Sequence, residues 1–425
     1  MPAPEPEAVL GVGTSLLGRN WALRCTDERS AEALSQGLGL PDVVGRILAG
    51  RGVDREAAER FLSPSLKAEL PDPSVLKDMD EAAARIADVV MAGGTVGVFG
   101  DYDVDGATSA ALLSRFLHAA GGRCLVHIPD RMRDGYGPNA PALQTMAGQG
   151  ADVIVTVDCG ITAFDALGQA AAAGIPVIVV DHHQAEPRLP DAAAVVNPNR
   201  LDEAAGPLQA LAAVGVTYLL VIAVNRLLRT RGWYGEGRPE PSLLPWLDLV
   251  ALGTIADVVP LTGLNRVLAA QGLRVMAGRR NTGLSALADV SRLHEPPGAY
   301  HAGFLLGPRI NAGGRVGEAD LGVRLLTCDD PAEASALASR LDAFNAERQQ
   351  IEAAVLEQAV AAHAGLAEPD APVCLVAAEG WHPGVLGIVA SRLREQTDRP
   401  TVVIGLDGGI GKGSGRSVPG VDLGA

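Results

Sequence analysis

Lysine is nearly missing from this 425-residue chain, at Lys67, Lys77 and Lys412 only, and arginine carries the rest of the positive charge. Arginine suits bidentate phosphate recognition better than lysine does. The net charge of −15 excludes a uniformly basic nucleic-acid binder, although basic residues can still gather on one face. Aromatics make up only 4% of the chain. The five cysteines (Cys25, Cys124, Cys159, Cys328, Cys374) are scattered, with no CxxC pair. That spacing argues against a disulfide framework or a zinc ribbon and favours a reducing compartment. The first residues lack a basic stretch followed by an apolar one, so no secretory signal is expected. One uncharged segment is long enough to raise a membrane span, residues 204–225. Gly206, Pro207, Gln209 and Gly215 interrupt it, and a buried helix is the better reading.

What the chain does contain is a repeated alternation of apolar strands and helices, which predicts an α/β protein with a parallel sheet covered on both faces. The length allows two or three domains. Residues 1–75 read as a helical extension, broken at Pro64 and at 71–73. Strands are expected at 96–100, 125–128, 153–157 and 177–180, with a helix at 107–117 and another running to residue 173. A long helix over 331–363 then connects to a second, smaller α/β unit with strands at 373–377 and 401–404. The expected division is 1–75, 76–330 for the catalytic domain, 331–365 for the connecting helix and 366–425 for a second domain.

In a parallel sheet, ligands sit outside the carboxyl ends of the strands. The first strand stops at Asp101-Tyr102-Asp103-Val104-Asp105-Gly106, the third at Asp158-Cys159-Gly160 and the fourth at Asp181-His182-His183. Another apolar helix ends in Asp257. At 5 Å and an effective dielectric near 20, each carboxylate pair repels by roughly 3 kcal/mol. A cluster of this kind protonates, faces water or holds a cation. The spacing of the first loop matches the start of an EF-hand, but its twelfth position is Leu112 where a bidentate Glu is needed. Asp158 alone could be a helix N-cap, and His182 alone a core histidine. Taken together, Asp103, Asp105, Asp158, His182 and Asp257 form an oxygen-rich set with one imidazole, suited to Mn²⁺ or Mg²⁺. Two such ions activate a water and stabilise an in-line displacement at phosphorus.

Weaker signals follow downstream. Residues 266–315 hold seven arginines against Asp289 and Glu295. The segment 411–417 is not a Walker loop; it reads either as an ordinary surface turn or as a turn whose Arg416 and Ser417 cradle a phosphate through backbone amides. Trp381-His382-Pro383-Gly384 opens a helix, a natural anion-binding position.

The four segments around Asp101–Gly106, Asp158, Asp181-His182-His183 and Gly253–Asp257 resemble, in order, the four motifs of the DHH phosphoesterase superfamily. The segments 307–315, 380–384 and 413–417 are similar to its branch of single-strand-specific DNA exonucleases, and the likeness covers residue 40 to the last. This resemblance implies a parallel-sheet DHH domain joined by a long helix to a smaller DHHA1-type domain, with the active site in the groove between them. It implies 5′→3′ hydrolysis of single-stranded DNA to 5′-mononucleotides with two Mn²⁺ or Mg²⁺ ions. Asp103, Asp105, Asp158, His182 and Asp257 would be the ligands, with Asp158 bridging. Asp101 and His183 would be catalytic groups beside them, and Arg309, Asn311, Arg315, His382, Arg416 and Ser417 would contact substrate. A single-strand-binding protein and a helicase are the implied partners, in the cytoplasm near the nucleoid, with no membrane. Such proteins usually continue into an OB-fold, so a chain stopping at Ala425 is read as a fragment. Two rival readings are a DHH phosphodiesterase for oligoribonucleotides or cyclic dinucleotides, and a replication scaffold without catalysis.

Overall fold

A computed structural model describes residues 8–423 except 17, 19, 26, 132 and 366–370. The boundary expected at 366 falls on residues outside that description. Residues up to Leu70 form one compact unit. It contains α1 (Glu28–Leu38), α2 (Asp42–Gly50), α3 (Arg55–Leu62) and the single turn α4 (Leu66–Glu69). Asp27 and Asp54 cap α1 and α3 by accepting the N–H groups of Ser30 and Ala57, which stabilises each helix by about 1 kcal/mol. Leu34, Leu48 and Ala58 make its core.

The second unit runs from Pro71 onward. The helix α5 (Met79–Met91) leads into β1 (Thr95–Gly100), followed by α6 (Val104–Ala119), β2 (Arg123–His127), α7 (Ala140–Gly148), β3 (Val153–Val157), α8 (Phe164–Ala172), β4 (Val177–Val180) and β5 (Ala194–Val196). The five strands form one all-parallel sheet in the order β2-β1-β3-β4-β5. All five residues of β3 and all four of β4 are buried, as expected of a sheet covered on both faces. The strand order reverses between β1 and β3, and ligands bind at such a switch point.

Register does the rest. Gly100 lies beside Val157, and Val157 beside Val180. The next residues, Asp101, Asp158 and Asp181, therefore stand in one row across the sheet. Their N–H groups donate to Val157, Val180 and Val196 carbonyls at 3.2, 3.0 and 3.1 Å.

Helices α9 (Ala213–Thr230), α10 (Leu247–Ala256), α11 (Gly263–Ala277) and α12 (Thr282–Val290) follow. The uncharged segment does hold a helix long and apolar enough to cross a membrane, but α9 is mostly buried within the domain. Next come α13 (Ala299–His301), a π-helical turn (Ala302–Leu306), α14 (Gly307–Val316) and α15 (Leu321–Thr327). The connecting helix α16 (Pro331–Ala364) has Pro331 at its first position and Asp330 accepting from the Glu333 N–H. Its 34 residues span about 51 Å at 1.5 Å each.

The smaller sheet has β6 (Cys374–Glu379) parallel to β7 (Thr401–Asp407), with α17 (Leu386–Thr397) between them in sequence. Strand β8 (Ile410–Arg416) runs antiparallel to β7. Val355 and Ala359 of α16 share a core with Trp381, Val385, Val389 and Val403.

Three expectations need correction. The helix after the acidic loop begins at Val104, not 107, because Asp103 caps it by accepting from Asp105 and Gly106 N–H. Residues 411–416 are a strand, not a phosphate-cradling loop. Gly408 and Gly409 both take positive φ, 54° and 83°, as a two-residue hairpin turn requires. The strand β5 has only three residues and was not anticipated from sequence.

Candidate metal centre

The row of aspartates is one wall of the site. Asp103 lies one turn beyond it as the α6 N-cap, which aims that helix's positive end at the cluster. Asp105 is inside α6 and fully buried; its Oδ2 and Oδ1 accept the N–H groups of Ala213 (2.6 Å) and Val214 (2.9 Å). The start of α9 is thus docked on a carboxylate. Asp257 ends α10, which packs close to α6 at Gly253: a Cβ there would lie 2.2 Å from Thr108 Oγ1 and 3.0 Å from Asp105 Oδ1.

His182 stands at the centre. Its Nε2 is 3.3 Å from Asp158 Oδ1, 3.7 Å from Asp257 Oδ2 and 3.8 Å from Asp105 Oδ2. Its Nδ1 is 3.0 Å from the Leu211 carbonyl, which can only accept, so Nδ1 carries the proton and Nε2 offers a lone pair. Burial, and then the neighbouring His183, lower the His182 pKa and so favour the neutral ring. A neutral ring aiming its lone pair at three carboxylates is a ligand awaiting a cation.

Three further observations support that fit. His182 Nε2, Asp158 Oδ1 and Asp101 Oδ1 are buried without a hydrogen-bond partner. Ligand atoms of Asp105, His182 and Asp257 lie within 4.8 Å of one another, as do those of Asp101, Asp103 and Asp158. Asp158, 3.3 Å from His182, joins the two groups. The carboxylates also resist ionising without a counter-charge. Burial first, and Asp103 second, push Asp101 up to about 8 and Asp257 up to about 7. Burial and like charges raise Asp105 and Asp158 well above the usual range. Oxygen donors with one imidazole and no thiolate fit Mn²⁺ or Mg²⁺.

Asp158 takes φ 62°, a left-handed conformation costly for a residue with a Cβ. The turn at Asp158-Cys159-Gly160 is held to the end of β3, where Thr156 Oγ1 donates to the Cys159 carbonyl.

The sequence reading assigned no role to Asp181, yet it organises the loop. Its Oδ1 accepts from His182 N (2.7 Å), His183 N (3.2 Å) and His183 Nδ1 (2.7 Å), and its Oδ2 accepts from Ile161 N (3.0 Å). Burial pushes Asp181 up, but these bonds outweigh it and hold the carboxyl below its ordinary value. The hydrogen bond to Asp181 raises His183 to about 9. Asn197 and Asn199 donate to the carbonyls of His183 and His182. Tyr136, also missed, donates to the Asp158 carbonyl at 3.3 Å. Arg131 lies 5.2 Å from the Tyr102 ring centroid and stabilises the charged form of Asp101. Its place in a polar loop after β2 was the available signal.

The substrate candidates divide. Asn311 Oδ1 accepts the Val104 N–H at 3.1 Å, tying α14 to the start of α6. Arg309 is held by Asp342 (2.8 Å) and the Leu305 carbonyl (2.7 Å). Arg315 is partly buried and donates to the Gly384 carbonyl at 3.1 Å; desolvation, then Arg131 and Arg348, lower its pKa. Segment 307–315 is helical because its glycines permit close contact: a Cβ on Gly314 would lie 2.7 Å from the Tyr102 carbonyl. His382 Nδ1 accepts the Gly384 N–H. Arg416 donates to Ser391 and Ser414 hydroxyls and to the Gly415 carbonyl. Ser417 donates to the Val418 and Val421 carbonyls.

Models of two families match the chain: the DHH family N-terminal domain over residues 95–254, and the DHHA1 domain over residues 370–425. The single-stranded-DNA-specific exonuclease RecJ of Dickeya dadantii is 42% identical over 90% of this chain and 67% of its own length. The chain belongs to the RecJ family of DHH proteins. A crystal structure of exonuclease RecJ bound to manganese superposes with a TM-score of 0.70 at 37% identity, covering 82% of this chain and 84% of that one. A RecJ from Thermus thermophilus in complex with Mg²⁺ gives 0.71 at 32% identity, covering 94% of this chain but 53% of that one. Compared with these RecJ proteins, the chain thus spans between about half and most of their length.

Proposed function

We propose that this chain carries the catalytic core of a single-strand-specific DNA exonuclease that uses Mn²⁺ or Mg²⁺ at two positions, acts 5′→3′ and releases 5′-mononucleotides in DNA repair and recombination. The observation that carries this reading is His182 Nε2, a buried lone pair facing Asp105, Asp158 and Asp257. Asp105, His182 and Asp257 would hold one ion, Asp101 or Asp103 the other, and Asp158 would bridge. When bound, the ions would polarise the phosphate and activate the attacking water.

The chain's own groups do the positioning. Asp181 fixes both histidines and turns the His183 ring so that its Nδ1–H is spent internally, leaving Nε2 for a phosphate oxygen. Asn311 holds the N-terminus of α6 against α14. Arg315 supplies a partly buried positive charge with no carboxylate bonded to it among the described residues, suited to the phosphodiester. Arg416 and His382 flank the start of α17, where backbone N–H groups favour an anion; Ser417 follows Arg416 in sequence. Arg309 reads as a positioning group through Asp342. The domain division 1–75, 76–330, 331–365 and 366–425 is part of this proposal. So are a single-strand-binding protein and a helicase as partners, and a cytoplasmic site of action at the nucleoid.

The test is Mn²⁺-dependent digestion of single strands labelled at either end. Immediate release of a mononucleotide from the 5′ label is expected. Release from the 3′ label, with the 5′ label retained, would overturn the polarity. Turnover of dinucleotides alone, with long strands untouched, would favour a different DHH phosphodiesterase.

A further inference from the structure

Two aromatic rings stand exposed on the turn that packs against the end of α10, the helix that Asp257 caps, in a chain that has few. Tyr300 is 64% and Phe304 71% exposed, and their rings stack at 5.3 Å with planes 25° apart. They belong to α13 and the π-helical turn, and π-turns are common at functional sites. This turn is built onto the elements that carry the ligands. A Cβ at Gly303 would lie 3.6 Å from Ile255, two residues before Asp257, and one at Gly307 would lie 3.2 Å from Ala256 and 3.8 Å from Val104. Gly303 and Gly307 thus pack on the last residues of α10, with Phe304 between them in sequence. Val258, next to Asp257, is also exposed. Arg279, Leu293, Pro297 and Leu306 line one cleft, so α11, α12 and the loop after α12 border the same turn. Arg274, Arg280 and Arg292 in that region are exposed and form no ion pair among the described residues.

From this placement we propose that Tyr300 and Phe304 form a stacking platform for bases of the substrate strand outside the metal centre. The inference rests on the proposed single-strand exonuclease activity and adds a binding site to it. Flat rings accept any base, because every base has a π-face, and nearby arginines meet the backbone charge. A strand of unrestricted sequence needs that chemistry. A protein partner would more often call for a deeper apolar pocket around its anchors.

The experiment compares wild type with Y300A/F304A and Y300F, using fluorescence anisotropy of a labelled dT20 in EDTA and Mn²⁺-dependent cleavage of dT2. The double alanine variant is expected to bind dT20 about 5- to 100-fold more weakly, while cleaving dT2 within about twofold of wild type. Y300F, which keeps the ring, retains wild-type binding. Photocrosslinking of a 5-iodouracil strand to wild type is expected to mark Tyr300 or Phe304. Unchanged dT20 binding by the double variant overturns the proposal, as does an equal loss on dT2. So does a change in oligomeric state alone, which would make the pair a contact between copies. A wild type that neither binds nor cleaves single strands would instead defeat the functional reading beneath it.

Discussion

Replacing Asp181 with Asn is the sharpest test of how the site is held. The buried carboxylate accepts four N–H groups with two oxygens. An amide has one acceptor. Placed to serve His182 and His183, it turns its NH₂ toward the Ile161 N–H and leaves two donors face to face, at about 1–3 kcal/mol. The bond to His183 also ceases to be charge-assisted. That loss is about 1 kcal/mol, kept low because the ring is half exposed. The sum is roughly 2–4 kcal/mol of stability. In the metal-free protein His183 falls from about 9 toward its ordinary 6.5. The signs fix the pH window. A raised His183 contributes fully below 6.5 and loses its contribution as pH rises through about 9. A lowered Asp181 contributes above 3.8 and loses it as pH falls through its folded value. The stability gap between wild type and variant should therefore be widest between 3.8 and 6.5. Mn²⁺ affinity should drop about 10- to 100-fold, as for other groups that orient metal ligands. Urea denaturation, histidine NMR titration and Mn²⁺ calorimetry read the three effects. A variant that binds Mn²⁺ within twofold of wild type, with His183 still titrating near 9, would refute the reasoning.

The crowded carboxylates predict that metal-free protein loses stability as pH rises from about 4 to about 8, since Asp101, Asp257, Asp105 and Asp158 are all raised above 3.8. Melts in EDTA and in Mn²⁺ across that range should diverge progressively, and a flat metal-free profile would count against the cluster. Asp158→Gly relieves the left-handed backbone and one buried charge, while costing glycine's extra chain entropy. Metal-free stability should rise by about 1 kcal/mol, and Mn²⁺-dependent cleavage should fall at least ~100-fold. Denaturation and turnover measured on the same preparation check that opposition. Gly253→Ala forces a methyl between Thr108, Val214 and Asp105. Overpacking of about 1–3 kcal/mol and weakened Mn²⁺ binding are expected, whereas wild-type melting and affinity would show that α10 can shift freely.

The parallel sheet and most of the acidic set were legible because strands buried on both faces read as unbroken β-branched runs, and a run that stops at Asp marks a carboxyl end. Asp181 shows no role in the sequence alone, since nothing in Asp-His-His tells which member is the ligand and which the holder. Its lack of exposure and its four donors decide that. The helical state of 307–316 ran against propensity, each interior glycine costing about 1 kcal/mol. Tertiary contact overrides this where Gly314 meets the Tyr102 backbone. The strand β8 was missed although Asp407-Gly408-Gly409 carried a hairpin signal. The three residues of β5 are too short for any pattern to show.

The acidic loop itself divides along a line that sequence does not draw. Asp103 and Asp105 are partly satisfied by helix starts: Asp103 by the first N–H groups of α6, Asp105 by those of α9. These N–H groups hold the two side chains in place whether or not a cation is present. Asp101 and Asp158 stand in the sheet's row and each keeps a buried oxygen with no donor. In the metal-free protein such oxygens must be protonated or strongly destabilising. Dependence on a cation should therefore be greatest at Asp101 and Asp158, although the resemblance implies Asp103 and Asp105 as the loop's ligands and Asp101 as a group beside them. The two that helices already hold would shape the site, and the two that each keep an unpartnered oxygen would make it require a metal.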